Sequence, residues 1–143
     1  MSATRHLLDV NLAIAITQEG HVHHRLAQRW FNTPNLHWSL CAFSEAGYFR
    51  LTTKPGIGTF SLPEAEQVLA ALIAHPRYSP WPIVDSWTTV VEPFRERVHG
   101  HQQITDAYLL GLAIKENGVL VTLDKALKYM AGPKYSKHLL VLE

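Results

Sequence analysis

The chain has 143 residues, of which 47% are hydrophobic and 17% are charged. This balance is typical of one globular domain spanning residues 1–143 and excludes intrinsic disorder. The formal net charge of +1 excludes a surface that holds nucleic acid by bulk electrostatics alone, so any phosphate contact must be local.

The first half of the chain is predicted to alternate short strands with helices. Its apolar residues form short runs and helical patterns, and a proline closes the second helix. The predicted elements are a strand at residues 5–8, a helix that follows residue 9, a helix at 21–31, a strand at 36–40 and a helix at 42–51.

The second half begins with a loop at residues 52–61. The sequence Ser61-Leu62-Pro63-Glu64 is a capping box that opens a helix to about residue 74, so Glu64 is explained without catalysis. Two prolines within residues 78–84 predict a short strand or one at the sheet edge. The remaining predictions are helices at 88–98, 104–116 and 124–131, and strands at 119–122 and 139–142.

Alternating strands and helices predict an α/β fold with a mainly parallel central sheet and helices on both faces, because parallel strands need crossover connections. In such sheets, ligands bind at the carboxyl ends of the strands. Asp9 and Asp124 each follow a predicted strand directly. We therefore expect the functional site at that end of the sheet.

The N-terminal segment has no long apolar run after its basic residues, and no other stretch is long and apolar enough to span a bilayer. We expect a cytoplasmic protein that does not contact a membrane. The single cysteine, Cys41, excludes an internal disulfide and is expected to be a small buried residue after a strand.

Four acidic residues lie in otherwise apolar segments, where an uncompensated charge is costly. They are Asp9 in LLDVN, Glu45 in AFSEAGYF, Asp106 in ITDAYLLGLA and Asp124 in LVTLDKAL. Hard oxygen ligands without cysteine favour Mg²⁺, with Mn²⁺ as an alternative. Such a metal activates water and stabilises charge on a phosphodiester undergoing hydrolysis.

Each acid also has a structural interpretation. Asp124 could cap its helix, and Asp106 could be a first-turn acid that the helix dipole stabilises. Asp9 is harder to explain in this way, because Asn11 could cap the first helix and leave the carboxylate free. Glu45 could face solvent, away from the core.

The ordered series LLDVN, SE in the helix after the second strand, TDAYLLGLA and VTLDKAL resembles the PIN-domain ribonucleases. More narrowly, it is similar to the VapC toxins of bacterial toxin–antitoxin pairs. The resemblance covers nearly the whole chain and includes the order and spacing of all four acids. TDAYLLGLA, preceded by Gly100-His101, is its most specific stretch.

This resemblance implies a Mg²⁺-dependent endoribonuclease that cuts loop regions of tRNA, rRNA or mRNA and inhibits translation or growth. It implies 5′-phosphate and 3′-hydroxyl ends, a homodimer and a VapB-like antitoxin whose C-terminal segment blocks the site. By matching position, Asp9 and Asp106 would hold the metal, and Glu45 and Asp124 would act directly or through water. Asn11, Thr105 and Thr122 would support these ligands.

Basic side chains near the motifs are expected to contact RNA phosphates, although each could also belong to a solvated rim. They are Arg50, Lys54, His101, Lys125 and Lys128. The histidine clusters at residues 23–25 and 97–101 are interpreted as solvated surface. The four tryptophans are assigned to the core or to a dimer contact, not to base stacking.

Three other functions stay open. A haloacid-dehalogenase-like phosphatase also places an Asp after the first strand, but it requires D-x-D where this chain has Asp9-Val10-Asn11. Nine histidines leave room for metal-independent RNA cleavage, because imidazole titrates near neutral pH. The third alternative is an inactive PIN-like module that binds RNA or protein.

Overall fold

Four strands form one parallel sheet in the computed structural model, which describes residues 3–143. The order across the sheet is β2-β1-β3-β4, with Leu7 paired to Ser39 on one side and to Leu120 on the other. The strands are β1 (Arg5–Leu8), β2 (His37–Ser39), β3 (Val119–Thr122) and β4 (Leu139–Val141). The predicted α/β class with a parallel sheet is confirmed.

Helices connect the strands and cover both faces of the sheet. They are α1 (Val10–Thr17), α2 (His24–Phe31), α3 (Ala42–Thr52), α4 (Leu62–Ile73), α5 (Trp87–Val91), α6 (Ile104–Lys115) and α7 (Leu127–Tyr135). Short 3₁₀ turns follow α5, precede α6 and follow α7. The capping box at Ser61 and Glu64 is present at the start of α4.

The hydrophobic core has two halves, one on each face of the sheet. Successive strand residues point to opposite faces, so Leu7 and Leu120 enter one half while Leu8 and Val121 enter the other. Helices α5, α6 and α7 supply most of the first half, and α1 supplies the largest helical share of the second, with further residues from α2, α3 and α4. The central strands β1 and β3 are thereby covered on both sides, and they position the residues at their carboxyl ends.

Three predicted helices have different bounds in the structure. The helix predicted at 88–98 ends early, as α5 gives way to a 3₁₀ helix at Glu92–Arg97 that contains Pro93; proline cannot donate the next backbone hydrogen bond. The helix predicted from residue 21 begins at His24, after a turn in which the His23 N–H donates to His21 Nδ1. The helix predicted from residue 124 begins at Leu127.

The proline-containing segment at residues 78–84 runs along the free side of β2. It makes two isolated parallel bridges, between Trp38 and Tyr78 and between Cys41 and Trp81. Cys41, Trp38 and Trp81 are buried there. The segment is therefore at the sheet edge, as predicted, without forming a regular strand.

None of the helices formed by residues 3–143 combines the length and apolar content that a membrane crossing requires.

Candidate active site

Asp9 lies at the carboxyl end of β1 and is only 5% exposed. Its backbone is the N-cap of α1, and its Oδ1 accepts a hydrogen bond from the Leu12 N–H at 2.8 Å. Its Oδ2 accepts a hydrogen bond from the buried Thr122 hydroxyl at the end of β3. The expectation that Asn11 caps α1 is therefore wrong: Asp9 has this role because it stands one residue before the helix, whereas Asn11 is exposed in its first turn.

Thr122 connects Asp9 to Asp124. The Asp124 N–H donates to Thr122 Oγ1 at 3.1 Å, and Asp124 Oδ1 accepts from the Ala126 N–H at 2.9 Å. Asp124 is exposed and forms a turn before α7, so it does not cap that helix. The third acid, Asp106, lies in the first turn of α6. Asp106 is partly buried and lines the same cleft as Asp9. Stabilisation of a helix end does not require either feature, so it does not fully explain this residue.

The charges of these three acids influence one another. Burial, opposed by the hydrogen bonds from Thr122 and Leu12, raises the pKa of Asp9 from 3.8 to about 6. Burial, followed by the charges of Asp9 and Asp124, raises the pKa of Asp106 from 3.8 to about 7. Desolvation and like charge both disfavour the carboxylate form. Asp9 and Asp106 are therefore harder to ionise here than ordinary carboxyls are.

An open cleft of about 410 Å³ contains Asp9 and Asp106 together. Helix α3 forms one wall and the start of α6 forms another, while Asn11 and Thr105 add polar atoms. The remaining lining residues are Val10, Phe43, Ala46, Gly47, Arg50, Leu51, Gln102 and Leu109.

A second cleft of about 400 Å³ shares Asp9 and Asn11 with the first. Its other lining residues are His21, Val22, His23, Leu123 and Asp124. Burial, and then the charges of His23 and His24, lower the pKa of His21. His23 is exposed, as the sequence predicts for this cluster, but it also borders the acidic site.

Glu45 does not line either of these clefts. It lies in the first turn of α3 and is partly buried. Burial raises the pKa of the Tyr78 hydroxyl, and the charge of Glu45 contributes to this rise. The structure brings Asp9, Asp106 and Asp124 together but leaves Glu45 towards the β2 side, so a catalytic role for Glu45 remains a prediction.

Of the residues predicted to contact RNA, one lines the main cleft and the others do not. Arg50 lines the main cleft, whereas Lys54, His101 and Lys125 are exposed without lining it. Lys128 lies elsewhere, at a cavity between α7 and β4, and its Nζ is 2.9 Å from Glu143 Oε1. Because its charge is paired at a separate cavity, Lys128 does not support a phosphate contact at this cleft.

A divalent cation fits the chemistry of these donors. No three His, Cys, Asp or Glu side chains within residues 3–143 are grouped closely enough to enclose a metal by themselves. Mg²⁺ does not need three such side chains, since it is commonly bound by one or two carboxylates and keeps several waters. None of the ion pairs within the described residues involves Asp9 or Asp106, so their raised pKa values mark a place where a cation would be stabilised.

The sequence interpretation missed Phe43 and His21 as residues of these clefts. Phe43 stands four residues before Gly47 on α3, and helical periodicity places both on one side of the helix. Because apolar helix residues are usually core, the pattern gave no reason to assign Phe43 to the site. His21 lies in a turn that was predicted as helix.

Residues 6–133 match the PIN domain, so this chain belongs to the PIN domain family. It is 36% identical over 126 residues to ribonuclease VapC39 of Mycobacterium tuberculosis, covering 85% of this chain and 89% of that protein. It is 35% identical over 147 aligned positions to ribonuclease VapC44 of the same organism, covering 96% of this chain and 99% of the relative. The resemblance to VapC-type PIN proteins is confirmed.

Solved structures show the same fold at low identity. VapBC2 from Rickettsia felis, bound to a DNA fragment from its promoter, matches with a TM-score of 0.66 and 14% identity, covering 97% of this chain and 99% of the other. FitAcB from Neisseria gonorrhoeae matches with a TM-score of 0.60 and 14% identity, covering 96% of each chain. VapC20 of M. tuberculosis, a sarcin-ricin loop cleaving toxin, matches at 0.59 and 13%, covering 79% and 84%.

Proposed function

We propose that this chain is a divalent-metal-dependent endoribonuclease and the toxin of a toxin–antitoxin pair. The observation that carries this proposal is the pair of carboxyl groups with raised pKa values, Asp9 and Asp106, in a cleft at the carboxyl end of β1. The two relatives named as VapC ribonucleases support RNA as the substrate. Hydrolysis of cellular RNA would inhibit translation and growth.

Asp9 and Asp106 are the side chains suited to hold Mg²⁺ or Mn²⁺, with Asp124 acting through water. When bound, the ion supplies a polarised water and stabilises charge on the phosphodiester. Asp9 is kept in place by two donors on different elements, the Leu12 N–H and the Thr122 hydroxyl. This restraint fixes the direction of its free lone pairs, and Asn11 and Thr105 can orient water beside them.

The partners follow from the same relatives. The name VapBC2 pairs a VapB with a VapC protein, which supports a VapB-like antitoxin for this chain. VapC20 is named for cleavage of an RNA loop, which supports a loop in structured RNA as the target. A homodimer is also proposed here. We expect the antitoxin to cover the cleft that contains Asp9 and Asp106.

The test is digestion of total cellular RNA by the purified full chain, freed of any co-purified partner. Mg²⁺ or Mn²⁺ is supplied, with EDTA and Asp106→Asn as controls. Discrete cuts with 5′-phosphate ends, absent from both controls, are expected. Cleavage that persists in EDTA and leaves cyclic phosphate ends would favour histidine acid/base chemistry instead.

Either of two further results would contradict the ribonuclease proposal and favour a different function. RNA binding without cleavage under any metal would indicate a binding module. Trapping of a phospho-aspartate from a small phosphate ester would indicate a phosphatase, although exposed Asn11 stands where that chemistry requires a second acid.

A further inference from the structure

The wall of the main cleft formed by α3 carries an aromatic ring and a cation on one face. Phe43 and Arg50 are seven residues apart, close to two helical turns, so they project to the same side roughly 10 Å apart along the axis. Both line the cleft that contains Asp9 and Asp106. Small residues, Ala46 and Gly47, line the cleft between them. Gly47 allows the Val10 side chain to pack closely against α3, since a Cβ there would lie 2.8 Å from Val10 Cγ2.

Phe43 is not a core residue. Its side chain is 47% exposed, and its ring packs against Tyr108 with centroids 6.1 Å apart and planes at 64°. Tyr108 is itself fixed, because its hydroxyl donates to the Asp85 carbonyl at 2.8 Å. The contact with Tyr108 thus supports a large, partly exposed apolar surface at the cleft that contains Asp9 and Asp106.

Arg50 supplies an uncommitted positive charge. It is exposed, and it takes part in none of the ion pairs within residues 3–143. The acids nearby would repel a phosphate backbone, so a local cation is needed to hold the strand against them. An aromatic ring and a free guanidinium along one groove form the combination that binds single-stranded nucleic acid by base stacking and phosphate contact.

We propose, building on the ribonuclease function above, that Phe43 stacks an unpaired base beside the scissile phosphate while Arg50 contacts a neighbouring phosphate. The separation of these two side chains is one that a nucleotide can bridge from its base to the next phosphate. A base within a duplex is covered on both sides by its neighbours and cannot reach the Phe43 ring. The substrate is therefore single-stranded at this position, and Phe43 is a specificity-determining residue.

The first test compares Phe43→Ala, Phe43→Trp and Tyr129→Ala on an oligoribonucleotide that spans a mapped cleavage site, alone and annealed to its complement. Tyr129 is a matched control because it is an exposed aromatic residue, 60% exposed, at the separate cavity between α7 and β4. Loss of one stacking contact is expected to raise KM about tenfold for Phe43→Ala. Phe43→Trp should retain wild-type KM, Tyr129→Ala should leave it unchanged, and the wild type should discriminate against the annealed RNA.

The second test requires no cleavage. Single-stranded RNA that carries 2-aminopurine is titrated with each variant in EDTA, because stacking on an aromatic ring quenches this base. Quenching by the wild type and Phe43→Trp, and its loss in Phe43→Ala at saturating protein, are expected. Arg50→Gln should lower the dependence of log affinity on log salt by about one unit.

These measurements separate the two proposals. A wild type that quenches 2-aminopurine through Phe43 but cuts no RNA would overturn the nuclease and leave the stacking role intact. A wild type that cuts RNA, with unchanged KM and quenching in Phe43→Ala, would overturn the stacking role. If Phe43→Ala instead weakened only capture of the co-expressed antitoxin, the α3 wall would be a protein-docking surface and the assignment to RNA would be wrong.

Discussion

The Thr122 hydroxyl on β3 donates a hydrogen bond to Asp9 Oδ2 at the end of β1. This bond joins the two central strands at the point where the acidic site begins. The same hydroxyl accepts the Asp124 N–H at 3.1 Å. One buried oxygen atom therefore positions two of the three acids.

Replacement of Thr122 by Val is expected to weaken metal binding. Valine matches threonine in shape but cannot donate to Asp9, so the pKa of that carboxyl should rise further and its ionised form become rarer. Loss of such a supporting hydrogen bond typically costs about 10–100-fold in metal affinity or activity. Mg²⁺ dependence of the cleavage rate measures this effect. Thr122→Ser, which keeps the hydroxyl, should stay near wild type; an equal loss in both variants would contradict this explanation.

The stability of the metal-free protein should fall as pH rises. Asp9 and Asp106 have folded-state pKa values of about 6 and 7, above the ordinary 3.8, so the folded state binds more protons than the unfolded state between these limits. Their contribution is fully present below pH 3.8 and is lost as pH rises through 6 and 7. Thermal unfolding in EDTA from pH 4 to 8 measures this loss.

Asp106→Asn removes one of the two acids with raised pKa values and keeps the other, Asp9. The wild type should lose stability relative to this variant as pH rises, and added Mg²⁺ should restore the wild type most strongly at high pH, where its acids are ionised. A constant difference between the two proteins across this range would refute the pH assignment.

Asp124→Asn should impair cleavage less than Asp106→Asn does. Asparagine keeps an oxygen that can accept the Ala126 N–H, so the turn before α7 is preserved. The charge of Asp124 helps to raise the pKa values of Asp9 and Asp106. Its removal should therefore lower both pKa values. A loss of about tenfold is expected for a ligand that acts through water, and the acid limb of the pH–rate profile should move to lower pH. Complete inactivation would instead make Asp124 a direct ligand.

Gly111→Ala should destabilise the fold. A Cβ at Gly111 would lie 2.6 Å from the Val90 carbonyl oxygen, a backbone atom of α5 that cannot move alone. Overpacking of this kind costs about 1–3 kcal/mol, which is expected to exceed the gain of about 1 kcal/mol from alanine's higher helix propensity. Urea unfolding measures the change. Gly20→Ala is the control, because nothing lies within 4 Å of its Cβ.

The periodic pattern of apolar residues was sufficient to predict the sheet and the helices that cover it. The strand at residues 5–8 and the helix that begins at Ile104 were predicted closely because their apolar patterns continue into the core. The failures occurred where local hydrogen bonds compete with helix formation. Asp124 binds the N–H two residues ahead and delays α7, and Pro93 interrupts the segment after α5.

The acids could be identified from the sequence, but their arrangement could not. Asp9 and Asp124 were expected together because each directly follows a predicted strand, and Asp106 was assigned to the same site by the resemblance to the PIN-domain ribonucleases. Whether Glu45 reaches the same cleft depends on the rotation of α3, which spacing alone does not determine. Phe43 was missed for the same reason, since only the packing of α3 shows that this residue is 47% exposed.

The segment that bridges to Trp38 and Cys41 changes how the sheet meets other chains. A free strand edge offers unpaired N–H and C=O groups to which another strand can add, a common route to aggregation. Along β2 those groups are partly occupied by the segment that contains Pro80 and Pro82, and proline cannot extend a ladder. A strand from another chain could therefore pair mainly with β4, the other edge of the sheet, which has only three residues. This arrangement lowers the tendency of the folded chain to form fibres by strand addition.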